Sequence, residues 1–134
     1  MAYLLDTNVI IAYLKGQSAS LISRVDSTPI HEIFLCSTVK SELTYGAICG
    51  DQTEETLAKQ KDLCDRYNSL SFNDEAAIVA GQEQARLAEL GTPLEFYDLL
   101  IAGIALANGL TLVTHNVPEF ERIDRLNIED WESS

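Results

Sequence analysis

Tyr3-Leu4-Leu5-Asp6-Thr7-Asn8-Val9-Ile10-Ile11 is the stretch that decides the fold. An apolar run stops at a carboxylate and two small polar residues, and apolar positions then recur as Val9, Ile10, Tyr13 and Leu14 at helical spacing. The run suits a strand buried on both faces, and Asp6-Thr7-Asn8 offers side chains that start helices. A strand passing straight into a helix predicts an α/β fold, in which ligands bind beyond the carboxyl ends of the strands. Asp6 is expected at that edge.

Other carboxylates follow the same pattern. Ile33-Phe34-Leu35-Cys36 is a second apolar run, and Ser37-Thr38 is expected to cap the helix after it, with Glu42 about one turn in. A capping-box Glu stands three residues after its hydroxyl, whereas Glu42 stands four after Thr38. An exposed first-turn Glu favoured by the helix dipole is the structural alternative. Further on, Gly91-Thr92-Pro93-Leu94-Glu95-Phe96-Tyr97-Asp98 leads into Leu99–Ala107, which is apolar nearly all round and belongs in the core. Asp98 at its entrance is either an N-cap contributing about 1 kcal/mol or a site residue. Asn108-Gly109 stops that helix, Leu110–Val113 resumes as a strand, and Thr114-His115-Asn116-Val117-Pro118-Glu119 follows. Asn116 and Glu119 are expected to reach the crevice, with His115 turned away and a plain turn at Val117-Pro118 as the alternative.

The remaining segments read as scaffold. Leu21, Ile22 and Val25 mark a short helix, Thr53 is expected to cap one carrying Leu57, Cys64 and Tyr67, and Leu70-Ser71-Phe72 alternates like a strand. Asn73 caps a further helix running to Gly91, on which Ala77, Gly81, Ala85 and Ala88 are expected to pack closely on a neighbour. Glu54, Glu55, Asp62, Asp65, Glu83 and Glu89 read as a solvated face. Leu126–Trp131 alternates like an edge strand anchored by Trp131.

At 134 residues and 46% hydrophobic content the chain is expected to form one domain, residues 1–134. Nine Lys plus Arg against 21 Asp plus Glu give a net charge of −12, the opposite of the basic footprint of most nucleic-acid binders. A polyanionic substrate therefore needs cations at the site. Cys36, Cys49 and Cys64 are odd in number and lack a C-x-x-C pair, which speaks against a disulfide framework or zinc. The start of the chain makes a poor signal peptide and no apolar stretch is long enough to span a bilayer, so a cytoplasmic protein is expected.

Two carboxylates about 4 Å apart repel by about 4 kcal/mol at an effective dielectric near 20, so acids meeting at one edge require a proton or a cation. Oxygen-only donors suit Mg²⁺ or Mn²⁺, which activates water and neutralises charge on a phosphate. Phosphodiester hydrolysis is the corresponding chemistry. A haloacid-dehalogenase-type phosphatase would need a second Asp where Asn8 stands and a late lysine, but the last lysine is Lys61. A receiver domain lacks the same lysine.

Leu4-Leu5-Asp6-Thr7-Asn8, Glu42 in its helix, Gly91-Thr92-Pro93 through Asp98-Leu99-Leu100-Ile101-Ala102, and Thr114 through Glu119-Phe120-Glu121-Arg122 together resemble the PIN-domain ribonucleases. The likeness extends in order to the ending at Trp131 and is nearer to the VapC toxins of type II toxin–antitoxin systems. It implies a three-layer α/β/α domain around a central parallel sheet and a Mg²⁺- or Mn²⁺-dependent endoribonuclease acting on RNA. It also implies a homodimer and a VapB-like antitoxin as partners, with no membrane. By the same resemblance Asp6, Glu42, Asp98 and Glu119 match the catalytic, metal-binding acids, while Thr7, Thr114 and Asn116 match residues that position water or substrate. Leu94-Glu95-Phe96-Tyr97 departs from the small or Pro residue that often precedes the third acid. A PIN fold kept as a binding or scaffold module is the non-enzymatic alternative.

Overall fold

The computed structural model describes residues 1–132. Strand β1 (Tyr3–Leu5) is the centre of a parallel sheet whose order is β3-β2-β1-β4-β5, the others being β2 (Ile33–Cys36), β3 (Asn68–Leu70), β4 (Thr111–Val113) and β5 (Ile128–Glu129). Leu4 and Leu5 point to opposite faces of the sheet and are 0% and 1% exposed, so both faces are covered, as a parallel sheet requires. The covering helices are α1 (Thr7–Leu14), α2 (Ala19–Ser27), α3 (Ser37–Cys49), α4 (Thr53–Arg66), α5 (Asp74–Glu89), α6 (Phe96–Ala107) and the short α7 (Val117–Phe120). The three-layer α/β/α architecture is as expected. None of these helices is long and apolar enough to cross a membrane.

From β1 the chain works outward to β2 and β3, then returns to the other side of β1 as β4. The strand order therefore reverses between β1 and β4, and the crevice at their carboxyl ends is the usual ligand position of such sheets. Asp6 follows β1 directly and Thr114 follows β4 directly. Helix α6 is buried from Ile101 to Ala105 and lies against α5 so closely that a Cβ on Gly103 would stand 2.9 Å from both the Ala76 carbonyl oxygen and the Ala80 Cβ. It ends at Gly109, whose φ of +64° reverses the chain into β4 at little cost because glycine has no Cβ.

Several local readings need correction. Ser37 and Thr38 do not cap α3; Cys36 holds the N-cap position, and the Ser37 hydroxyl accepts a hydrogen bond from the Phe72 amide at 3.1 Å. Thr53 is the first residue inside α4, after Gln52, and its hydroxyl turns back to the Gly50 carbonyl. The third strand is Asn68–Leu70 and not Leu70–Phe72, because the Phe72 amide is taken by Ser37. Ala77, Gly81, Ala85 and Ala88 are exposed; α5 packs through Ala76, Ala80 and Leu87, a face rotated by one residue. Glu83 belongs to that buried face and not to the solvated one. Val117-Pro118 opens the short helix α7, where Pro suits the first turn. Only Ile128–Glu129 of the tail pairs with the sheet, yet Trp131 is an anchor, 2% exposed, edge-on to Tyr3 at 4.9 Å and beneath Arg24 at 4.6 Å.

Candidate active site

Asp6 ends β1 and caps α1. One carboxylate oxygen accepts from the Thr7 amide at 2.8 Å and the other from the Thr114 hydroxyl at 2.8 Å. Thr114 thus joins the ends of β1 and β4, and its oxygen also accepts from the Asn116 amide at 3.0 Å. The Thr7 hydroxyl donates to Glu42 at 2.7 Å, drawing α3 into the same cluster. Glu119 accepts from the Asn116 side chain at 2.6 Å and from the Glu95 amide at 3.1 Å, tying α7 to the entrance of α6.

Asp98 is not the N-cap of α6. Glu95 holds that position, accepting from the Asp98 amide at 3.2 Å, so the structural alternative for Asp98 is removed. Glutamate is outside the usual N-cap set, which is why the sequence pointed to Asp98 instead. Freed from capping, the Asp98 carboxyl lies within the field of Asp6, Glu119 and Glu95.

The electrostatics record this crowding. Burial, then Asp6, Glu119 and Glu95, push the Asp98 pKa up to about 8. Burial also raises Asp6, helped by Glu42 and Glu119 and opposed by its Thr114 and Thr7 hydrogen bonds. Burial would raise Glu119 too, but bonds from Glu95, Asn116 and Asp98 and the charge of Arg122 bring it below its ordinary value. Asp98 and Glu119 therefore titrate as a pair, which holds one proton well above the ordinary carboxylate range.

All the acids expected at the edge reach it, but they do not form a closed cage. Among the described residues the tightest donor set is elsewhere, at His115, Asp130 and Glu132, whose ligand atoms lie within 4.8 Å of one another. His115 faces away from the cluster, its Nδ1 3.0 Å from Asp130, as its position predicts. The four acids are compatible with a hard, partly hydrated divalent cation, which is held by one or two carboxylates and keeps several waters. Cys36, the soft donor nearby, is buried, and that burial pushes its thiol up to about 11. Sequence reasoning missed Glu95 as the cap of α6, and Arg122 as the cation that favours ionised Glu119.

A family model described as PIN domain matches residues 3–126. This chain belongs to the VapC family of PIN-domain proteins. The tRNA(fMet)-specific endonuclease VapC of Salmonella typhimurium is 37% identical over 131 residues, covering 98% of each chain. Ribonuclease VapC1 of Haemophilus influenzae is 33% identical over 132 residues, again covering 98% of each. Among solved structures, DNA-bound VapBC from Salmonella typhimurium superposes with a TM-score of 0.92 at 37% identity, covering 98% of both chains. VapBC2 from Rickettsia felis, bound to a DNA fragment of its promoter, gives 0.89 at 29% identity, covering 98% of this VapC-family chain and 99% of that one.

Proposed function

We propose that this protein, as one domain spanning residues 1–134, is a divalent-metal-dependent endoribonuclease that hydrolyses RNA phosphodiester bonds. It is the toxin of a type II toxin–antitoxin pair, acting in the cytoplasm as a homodimer and held inactive by a VapB-like antitoxin. The observation that carries the enzymatic part is Asp98: a helix-entrance carboxyl that caps nothing, is crowded by Asp6, Glu119 and Glu95, and has its pKa raised to about 8. A scaffold has no use for such unpaired acidity. The relatives' names, endonuclease and ribonuclease, and the VapBC complexes among the structural neighbours support the substrate class and the partner.

Asp6 and Asp98 are the direct ligands in this reading, with Glu42 and Glu119 binding directly or through water. The all-oxygen donor set selects Mg²⁺ or Mn²⁺ over zinc. When bound, such a cation makes water more acidic and neutralises charge developing on the phosphate. Thr114 fixes Asp6 in one rotamer through its 2.8 Å bond, and Thr7 does the same for Glu42 at 2.7 Å. Asn116 orients Glu119 and has its own backbone amide tied to Thr114, so the loop after β4 is set by the strand itself.

The test is cleavage of total RNA and of short defined RNAs by purified protein in Mg²⁺, Mn²⁺ or EDTA, with Asp98→Asn prepared alongside. Cleavage that needs both metal and Asp98 is expected. Absence of cleavage together with absence of metal binding would favour the scaffold reading.

A further inference from the structure

Three aromatic side chains stand in water beside the acids: Tyr45 is 73% exposed, Phe96 60% and Tyr97 41%. Tyr45 lies three residues after Glu42 on α3 and so shares its helix face. Phe96 and Tyr97 open α6 immediately before Asp98, their rings edge-to-face at 6.1 Å. Glu42, Tyr45 and Tyr97 line one cleft of about 360 Å³, near the small end of the range of ligand sites, roughly 300–1,000 Å³. The aromatic surface is thus continuous with the acid cluster.

The charge balance gives this surface a task. With a net charge of −12 the protein repels phosphate at long range, and among the described residues no lysine or arginine lines this cleft. Lys15, which lines the adjoining cleft together with Glu42, and Arg122 beside Glu119 are isolated cations, and like cations at the acids they hold only phosphates next to the scission point. The remaining handle on a nucleotide is the face of its base, which stacks on aromatic rings without regard to sequence. We infer that Tyr45 and Tyr97 form a stacking cleft for an unpaired nucleobase flanking the scissile phosphate, with Phe96 extending it. This deepens the nuclease reading and rests on it. A paired base cannot enter the cleft, and the two tyrosines are positioning residues that act on substrate binding.

The experiment uses a fluorescently labelled, mixed-sequence single-stranded RNA oligonucleotide, the same strand in a duplex, and versions with single abasic positions. Binding is read by anisotropy on the Asp98→Asn protein and KM and kcat on the otherwise native one. Tyr45→Leu and Tyr97→Leu are each expected to raise Kd and KM by about tenfold. The corresponding Phe variants should stay within about twofold of wild type, kcat should change little, and an abasic nucleotide beside the cut should erase the difference between Tyr and Leu. Leu variants that bind and cleave as well as Phe variants would overturn the inference while leaving the nuclease intact. So would a change in sedimentation with unchanged KM, which would assign these rings to contact between copies. Wild-type protein that neither binds nor cuts any of these RNAs would remove the nuclease reading, and this inference with it.

Discussion

Asp6 and Glu83 are buried almost equally, 4% and 5% exposed, and they illustrate two ways of keeping a carboxylate inside a protein. Glu83 on α5 is met by Arg86 at 2.9 Å and Arg125 at 3.6 Å, so two guanidiniums surround one negative charge. Asp6 has a hydroxyl and an amide instead, and its electrostatic neighbours are Glu42 and Glu119. One site has an excess of cation and the other an excess of anion. The first is complete as it stands and pins α5 to the C-terminal segment, because Arg86 also donates to the Arg122 carbonyl at 3.0 Å. The second is complete only when positive charge or protons arrive.

If that contrast is right, neutralising the two sites has opposite consequences. Asp98→Asn is expected to reduce kcat/KM for RNA by at least about a hundredfold. The same change should raise the melting temperature of metal-free protein by about 2–5 °C above pH 8, where Asp98 is ionised and its charge adds repulsion of the order of 1 kcal/mol. Thermal denaturation in EDTA checks the sign. A lower melting temperature would mean that Asp98 serves the fold and that the contrast is false. Arg86→Met inverts the pattern: it leaves Glu83 buried with only the more distant Arg125, at an expected cost of about 2–3 kcal/mol by denaturant unfolding, with kcat unchanged. Arg125→Met, whose side chain is 56% exposed, should cost under about 1 kcal/mol.

How far this contrast was legible in the sequence depends on the range of the interactions involved. Asp6, Glu42, Asp98 and Glu119 stand where apolar runs stop or apolar helices begin, and parallel topology carries such positions to one edge. They were readable for that reason. Glu83 was read as solvated because its second partner, Arg125, is distant in the chain, although Arg86 at i+3 was a visible hint. The phase of α5 was missed by one residue because alanines occupy both of its faces, so composition does not separate Ala76 and Ala80 from Ala77 and Ala85. The strand at Asn68–Leu70 is polar, and an edge strand need not announce itself by hydrophobicity. Glu95 was missed as a cap because cap statistics favour Asp, and only the geometry assigns the cap to the less favoured residue.

The pH dependence sharpens the comparison further. Asp98 has its pKa raised from 3.8 to about 8, so the folded state holds a proton that the unfolded state releases. Its contribution to stability is full below the unfolded value and is lost as pH rises through about 8. Asp6 is shifted in the same direction. Glu119 is lowered from 4.5, so its contribution is present above that value and is lost as pH falls through the folded pKa. Metal-free wild type should therefore lose melting temperature between about pH 4 and 8, and Asp98→Asn should flatten most of that slope. Adding Mg²⁺ or Mn²⁺ should stabilise wild type increasingly toward pH 8, where protons no longer compete for the carboxylates. An equal slope in Asp98→Asn would relocate the titrating group.

The smallest expected effect tests the contrast between neighbours in one loop. His115 sits between Thr114, which holds Asp6, and Asn116, which holds Glu119. Its ring nonetheless faces Asp130 at 3.0 Å and Glu132 at 3.9 Å, with its side chain 62% exposed. An exposed pair of this kind is worth under about 1 kcal/mol, so His115→Ala should lower stability slightly and leave kcat/KM within about twofold. Thr114→Val, one residue away, removes the hydroxyl that Asp6 depends on and leaves a buried carboxylate oxygen unpaired, at a cost of about 1–3 kcal/mol. The two variants change adjacent residues whose side chains face opposite ways. A turnover loss at His115→Ala as large as that at Thr114→Val would show that the imidazole reaches the reaction as a general acid or base, and the site would then extend to the face of the loop that carries the C-terminal segment.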